Sequence, residues 1–455
     1  MNPPYRGRVL PLVLLIVLLG FQLLFYFFTA LTTTSIEPAG SAFIRFAERN
    51  LRAYWAADKE PGWLQVAVLW GSSQSLIEDV EAAYQTEQQA IANHGVEAGT
   101  LEVLTAYLIT MQSVGRDQAA LAAVREAPLV WASRAEAALD YLEGGSSPQG
   151  EAAIEALRHE SPFLAEIGLR RGTPPSDWKA EADPVWHWTF WLGMAIVVQW
   201  FLGLWALVSF REAPTHVDFA RYSLWAFSGW ALLSAFLLYD GLFTWLGFGL
   251  SALVQDQQLS APGWMALNSL AALSGTGVAL WWLIPRWSLV KKQFGLGWQV
   301  WRKRSTWFWL GAAFILSPLL HFGVLFWSRA SGELVLTDFL FMDELQVGVP
   351  GLLLLLTGYC IAAPVGEEII FRGIVYGGFR SRMPLPWALL VSSLLFSALH
   401  FYSFQGFVEV AIAGIFYGWL YEKTRSLLPG IVLHAYDNLW FSLWVWGVYG
   451  DQAAI

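Results

Sequence analysis

Cysteine and charge are what this chain has least of. One of its 455 residues is a cysteine, Cys360, so neither an intramolecular disulfide nor a multi-thiolate metal site can be assembled. Charged residues make up 14% of the chain, against roughly 25% in ordinary soluble domains, which excludes a purely soluble enzyme. The 27 Lys and Arg face 36 Asp and Glu, for a net charge of −9. No basic surface is large enough to neutralise a run of phosphates, so nucleic acid is not expected as a partner. What the chain has in excess is apolar: 56% of its residues are hydrophobic, among them 27 Trp and 30 Phe. Stability must come from packing.

The acidic charge is concentrated. Residues 36–185 hold 11 Lys and Arg against 22 Asp and Glu, a net of −11, which leaves +2 for the rest of the chain. An acidic insert therefore interrupts a nearly neutral apolar body. Crossing roughly 30 Å of hydrocarbon takes about 20 mostly apolar residues. Nine stretches qualify: Val9 to Ala30, Trp186 to Phe210, Ser223 to Leu246, Trp264 to Ile284, Trp307 to Trp327, Pro350 to Tyr376, Pro386 to Phe404, Phe407 to Tyr421 and Leu428 to Tyr449. Arg6 and Arg8 precede the first and no small-residue cleavage site follows it, so it reads as a retained anchor rather than a signal peptide.

Cationic residues in short connections set orientation. With the N-terminus cytoplasmic, nine alternating spans place Arg6, Arg8, Arg211, Arg221, Arg286, Lys291, Lys292, Arg302, Lys303, Arg304, Arg380, Arg382, Lys423 and Arg425 on the cytoplasmic side. The short connections opposite hold Arg329 alone. The expected fold class is all-α: a polytopic helical membrane protein of about nine spans, with an extramembrane α-helical insert between the first and second. The domains expected are an N-terminal membrane anchor at 1–35, an acidic extracytoplasmic domain at 36–184, spans two to five over 185–345, and a catalytic transmembrane core over 346–455.

Within the insert, apolar residues recur at helical spacing in Leu101 to Val114, Ala119 to Val124, Ala132 to Leu142 and Glu151 to Leu157. Breaks such as Gly144-Gly145-Ser146-Ser147-Pro148 separate them. A small helical bundle is predicted, acting as a solvated cap or docking domain. Ala135 to Leu142 and Glu151 to Leu157 look alike, but no repeat period emerges.

Ionisable residues in a transmembrane stretch are costly and default to functional hypotheses. They cluster in the last quarter of the chain. Pro350 to Tyr376 carries Glu367 and Glu368, followed by Arg372. In a helix Glu368 and Arg372 are i,i+4 neighbours and pair, while Glu367 points about 100° away toward another wall, available as a general base toward water. The plain alternative is a helix end at the membrane interface, with both charges wet. The next span holds Phe396 and His400, and His400 alone reads as a helix-packing histidine. The last holds His434 and Asn438 on one helical face, with Asp437 offset as an interfacial charge or a partner of the others. Unpaired in lipid, these groups are strongly unfavourable, so mutual satisfaction around a hydrated pocket is expected. A hydrolase needs a base for water, a group to orient it and donors for an oxyanion. Glu367, Glu368, His400, His434 and Asn438 supply all three, provided Glu367 lies within direct or one-water reach of His400 or His434.

At these residues the sequence resembles the CPBP intramembrane protease family, which includes the CAAX prenyl endopeptidases and bacteriocin-processing homologues. The family pattern runs E-E-x-x-x-R, F-x-x-x-H, H-x-x-x-N. Glu367-Glu368 with Arg372, Phe396 with His400, and His434 with Asn438 match it in order, over roughly residues 350 to 445. The resemblance implies an endopeptidase that hydrolyses a peptide bond of a membrane-associated protein or peptide. It implies that Glu367 activates water with help from His400, that His434 and Asn438 stabilise the oxyanion, and that Glu368, Arg372 and Phe396 support the site. No cofactor is expected. The alternative is a divalent metal such as zinc on Glu367, His400 and His434, although the H-E-x-x-H spacing is missing. The expected location is the plasma (inner) membrane of a bacterium, spanned several times. The expected partners are the substrate, the lipid bilayer and a protein bound by residues 36–184. Two other classes use the same residues: a non-catalytic immunity or scaffold relative, and a proton-coupled transporter.

Other features have ordinary explanations. Cys360 reads as a small buried thiol packing between helices, with no cationic partner evident to make it a nucleophile. The basic run from Lys291 to Arg304, interleaved with Phe294, Leu296, Trp298 and Trp301, suits an amphipathic element lying along the membrane surface. Trp186, Trp188, Trp191, Trp327, Trp440, Trp444 and Trp446 fit interfacial belts.

Overall fold

The computed structural model of the chain describes residues 41–58, 73–94, 99–127, 129–143, 147–170, 178–210, 229–254, 261–283, 287–330, 349–400 and 404–449. Among them regular structure is entirely helical. The expected anchor at Val9 to Ala30 lies outside the described residues. The chain divides into two compact units, one within Leu31–Gly193 and Trp444–Gln452, the other built mainly from Met194–Leu443.

The first unit contains α1 (Ser41–Asp58), α2 (Ser73–His94), α3 (Thr100–Ser113), α4 (Asp117–Arg125), α5 (Ala132–Glu143), α6 (Pro148–Arg158) and α7 (Pro162–Leu169). The centre is α3, buried from Thr100 to Met111 save for Glu102. A helix that is apolar all round belongs inside a bundle, and α1, α2, α4, α5, α6 and α7 all pack against it. The hydroxyls of Thr105 and Thr110 are buried with it and donate to the carbonyls of Leu101 (2.7 Å) and Ala106 (2.8 Å). Tyr107 of α3 stacks on Tyr84 of α2 at 3.8 Å between ring centres, and Trp131 meets Tyr84 edge-on at 6.3 Å. Two helix starts follow the Ser-Pro rule: Ser147 and Ser161 accept from the N–H groups of Gly150 and Leu164, and Pro148 and Pro162 occupy the first turn, where no donor is needed. The helical segments expected from spacing are present as α3 to α6. Helices α1, α2 and α7 had no such periodic signal assigned to them.

The second unit holds the second half of α8 (Trp178–Ser209), then α9 (Gly229–Val254), α10 (Ala261–Leu283), α11 (Trp287–Phe294), α12 (Arg304–Ala330), α13 (349–380), α14 (Leu385–Ala398), α15 (Phe404–Thr424) and most of α16 (Leu427–Tyr449). The eight long helices among these fall on the described parts of eight of the expected stretches. By length and hydropathy, Phe190–Ser209, Arg304–Val324 and Leu352–Arg380 suffice to cross a membrane, while Ala231–Phe243, Ser269–Leu283 and Leu385–Ala398 are shorter apolar segments. Phe201, Trp205 and Val208 of α8 are 68%, 59% and 76% exposed. Large apolar side chains facing outward along a helix this apolar mark a lipid-facing surface.

Helix α13 occupies the middle of this unit. Its residues Glu368–Tyr376 are all buried, against α9, α11, α14 and α15. The far end is tied to α15 through the buried Glu422, which accepts from the Tyr376 hydroxyl (2.6 Å) and pairs with Arg380 (3.1 Å). The basic stretch after α10 is amphipathic as expected: Val290, Phe294 and Val300 are buried, while Lys291, Lys292, Arg302, Lys303 and Arg304 are exposed. It is clamped to the same helices. Phe294 packs where a Cβ on Gly373 would lie 2.5 Å from its ring. Gly295, at φ 56°, comes so close to the Arg425 carbonyl that only glycine fits.

The first unit carries a pH signature. Burial pushes the Tyr107 phenol up to about 12, with the Glu81 carboxylate adding to the shift, and burial raises Tyr84 as well. A phenol that ionises near 10 when unfolded and near 12 when folded contributes its full stability below about pH 10 and loses it as the pH climbs toward 12. The denaturant midpoint of the full-length protein, followed by helical circular dichroism, is expected to fall across that window, and Tyr107→Phe to flatten the fall. A midpoint indifferent to pH there contradicts the buried tyrosine pair.

Candidate active site

Residue 364 is a proline inside α13. It has no N–H to donate, and its ring crowds the carbonyl one turn back. The chain accommodates it by widening Gly358–Ala362 into a π-helical turn, in which the N–H of Ala363 reaches the carbonyl of Gly358. In that register the next carbonyl, of Tyr359, would take its donor from residue 364, which has none. Asn438 of α16 fills the place, donating from Nδ2 to the Tyr359 carbonyl at 2.8 Å. A buried carbonyl left without a partner is costly, so proline, wide turn and amide form one local solution that docks α16 on α13.

A second widened turn, Glu368–Tyr376, follows. Successive residues of a π-turn rotate through less than the 100° of an α-helix. Glu367 and Glu368, both with α-helical backbone dihedrals, diverge so that each faces a different nitrogen of the same imidazole. Oε1 of Glu368 lies 3.0 Å from Nδ1 of His434 and 2.9 Å from Nη1 of Arg372. Oε2 of Glu367 lies 3.7 Å from Nε2 of the same His434. Glu368 is fully buried, with Arg372 and His434 at 2% and 5% exposure, whereas the Glu367 side chain retains 21%. Helix α16 can approach this closely because residue 430 is glycine: a Cβ there would sit 3.3 Å from Oε2 of Glu368. A carboxylate beside a guanidinium accepts hydrogen bonds, so Nδ1 of His434 is the donor. Its Nε2 then faces Glu367 at a separation that lets both touch one water.

Aromatic rings hold these charges in place. The Arg372 guanidinium lies 4.2 Å over the Phe396 ring and 5.0 Å from that of Tyr417. Tyr417 stacks on the His434 imidazole at 4.6 Å and 15°. Phe396 meets both imidazoles edge-on, His434 at 6.2 Å and His400 at 4.8 Å. His400 sits just past the end of α14 and donates from Nδ1 to the Phe396 carbonyl at 2.9 Å. The structure thus brings Glu367, Glu368, Arg372, Phe396 and His434 into one cluster with His400 against its aromatic edge. It turns one Asn438 donor toward the Tyr359 carbonyl rather than toward His434. Among the described residues no three His, Cys, Asp or Glu side chains are grouped to hold a metal, and Glu368 is engaged by Arg372 and His434. No step below is routed through a metal.

The sequence reading did not single out Tyr417, Ser317, His321 or Glu409. Glu409 in α15 and His321 in α12 pair at 2.7 Å. The rule that flagged Glu367, an ionisable group in an apolar span, applies to both. Tyr417 carried no comparable signal, because an aromatic residue in a span is ordinary.

Residues 349–440 match the family described as "Type II CAAX prenyl endopeptidase Rce1-like". The resemblance to the CPBP proteases holds over those residues. The chain is similar to "Uncharacterized 24.3 kDa protein" of Escherichia coli, 33% identical over 101 residues, which are 21% of this chain and 44% of that protein. It is also similar to "UPF0177 protein YxdF" of Lactococcus lactis subsp. lactis (strain IL1403), 27% identical over 79 residues, 17% of this chain and 43% of that protein. The chain thus spans less than half the length of either relative. No solved structure matches.

The two adjacent glutamates are expected to respond differently to mutation. Removing one partner of a buried ion pair costs about 3–5 kcal/mol, so Glu368→Gln, which strands Arg372, should lower the thermal midpoint in detergent severely. Glu367→Gln should change stability by no more than about 0.5 kcal/mol. Equal midpoints for the two variants would refute this division of labour.

Proposed function

We propose that the chain is an intramembrane endopeptidase that hydrolyses a peptide bond of a membrane-associated protein or peptide, using water activated by Glu367. The observation that carries this reading is the convergence of two carboxylates on His434. One is locked to a buried arginine, and the other is accessible and within one-water reach of Nε2. Glu367 accepts a proton as the water oxygen attacks the scissile carbonyl. His434, held by Glu368 at Nδ1, presents Nε2–H to the oxyanion. Collapse breaks the C–N bond, and the proton on Glu367 passes to the leaving amine. His400 helps orient the water. Asn438 has a second amide hydrogen and serves the oxyanion while its first holds Tyr359. This chemistry uses no cofactor.

In this reading nine spans thread a bacterial inner membrane with the N-terminus cytoplasmic. Residues 36–184 lie outside the cytoplasm, where they recruit substrate or a protein partner. The match to a CAAX prenyl endopeptidase family over 349–440 supports peptidase chemistry.

The test compares protein termini in membranes and medium from cells carrying the wild type or Glu367→Gln at equal membrane level. Specific termini are expected to vanish in the variant, which would identify the substrate. Identical termini reject proteolysis in favour of a scaffold, and loss of ion-driven uptake instead points to transport. Cleavage by purified protein is expected to survive strong chelation, and its loss with recovery on adding zinc would overturn direct water activation.

A further inference from the structure

Outside the three motifs, a second set of polar groups adjoins His434 through Tyr417. The Tyr417 side chain is 3% exposed. Its ring lies nearly parallel to the imidazole, and its hydroxyl donates to Oδ2 of Asp437 at 2.9 Å. Oδ1 of Asp437 accepts from the Ser317 hydroxyl, also at 2.9 Å. Both carboxylate oxygens are therefore engaged, one by α15 and one by α12. Ser317, Tyr417 and Asp437 line a cavity of about 10 Å³ together with the His321–Glu409 pair. Oε2 of Glu409 is buried there without a hydrogen-bond partner. The lining is otherwise mostly apolar, with Leu320, Val324, Ile412, Ala413 and Phe416 around it.

The geometry points to Asp437 and Tyr417 as positioning residues for His434. Exchanging the two imidazole nitrogens requires the ring to turn about its Cβ–Cγ bond, which sweeps it through the plane that Tyr417 occupies. A tyrosine ring resists that sweep only while its far end is anchored, and Asp437, itself fixed by Ser317, is the anchor. The chain Ser317–Asp437–Tyr417–His434 then keeps Nδ1 on Glu368 and Nε2 toward Glu367.

The inference rests on the protease reading only for its kinetic arm. The full-length protein, labelled with ¹⁵N-histidine in lipid nanodiscs, gives imidazole nitrogen resonances, and loss of signals in His434→Gln assigns those of His434. Wild type is expected to show two distinct His434 nitrogen resonances, with Nδ1 set apart by its hydrogen bond to Glu368. Asp437→Asn and Tyr417→Phe each preserve volume, and each is expected to move the His434 pair toward an average of the two ring placements. Tyr417→Phe, which removes one hydroxyl, covers the case in which Asp437→Asn does not fold. On the substrate identified above, kcat is expected to fall about 10- to 100-fold with KM unchanged, the scale of a misplaced catalytic group. Wild-type resonances in the folded variants overturn the proposal whatever the cleavage rate. Shifted resonances with no cleavage by any form uphold the positioning chain and reject the protease reading alone.

Discussion

A carboxylate and a guanidinium shut away from water at 2.9 Å, Glu368 with Arg372, set the terms for everything around them. The cost of such a pair falls when its remaining polar atoms find partners and its geometry is held. The surroundings hold the geometry, while Oε2 of Glu368 and both Nη atoms of Arg372 stay buried without a hydrogen-bond partner among the described residues. His434 donates to Glu368, Phe396 and Tyr417 lie against Arg372, and glycine at 430 lets the last helix approach. In this arrangement His434 has one nitrogen committed and the other facing Glu367. The placement of His434 between the two glutamates thus follows from the buried pair.

The helix that carries the pair is irregular for a reason written into it. Pro364 forces a wide turn, the wide turn orphans the Tyr359 carbonyl, and Asn438 is recruited to it. One backbone defect thereby fixes the register between α13 and α16, on which the meeting of Glu368 with His434 depends. Asn438 joins two links: it repairs secondary structure in one helix and locks the position of an imidazole one turn earlier in its own. The amphipathic stretch through Phe294 and Gly295 presses on the same helix near Arg372, so connections outside the apolar helices also bear on the site's geometry.

Much of this was legible from residue types. Apolar runs of sufficient length gave the helices, since lipid leaves the backbone few other ways to satisfy itself. The spacing of Glu368 and Arg372 foretold their pairing, because i,i+4 neighbours meet in a helix. Glu367 points away from the Glu368–Arg372 pair and stays partly exposed, as α-helical rotation implies, while its approach to Nε2 of His434 depends on where another helix places that ring. Asp437 was read as offset from the His434 face. It is offset, yet it reaches His434 through a tyrosine contributed by another helix.

The sequence by itself determined the composition of the site: which acids, imidazoles and amide lie in apolar segments, and that burial would compel them to find one another. Only the tertiary structure decided who pairs with whom. Glu367 and Glu368 share an imidazole, Asn438 serves a carbonyl, and Tyr417 links His434 to Asp437, Ser317 and the small pocket. The physical reason is that pairing depends on distances of a few ångströms between helices far apart in the chain. Those distances are set by where glycines permit close approach and where a proline shifts a helix by one residue, and no local pattern of residues encodes their sum.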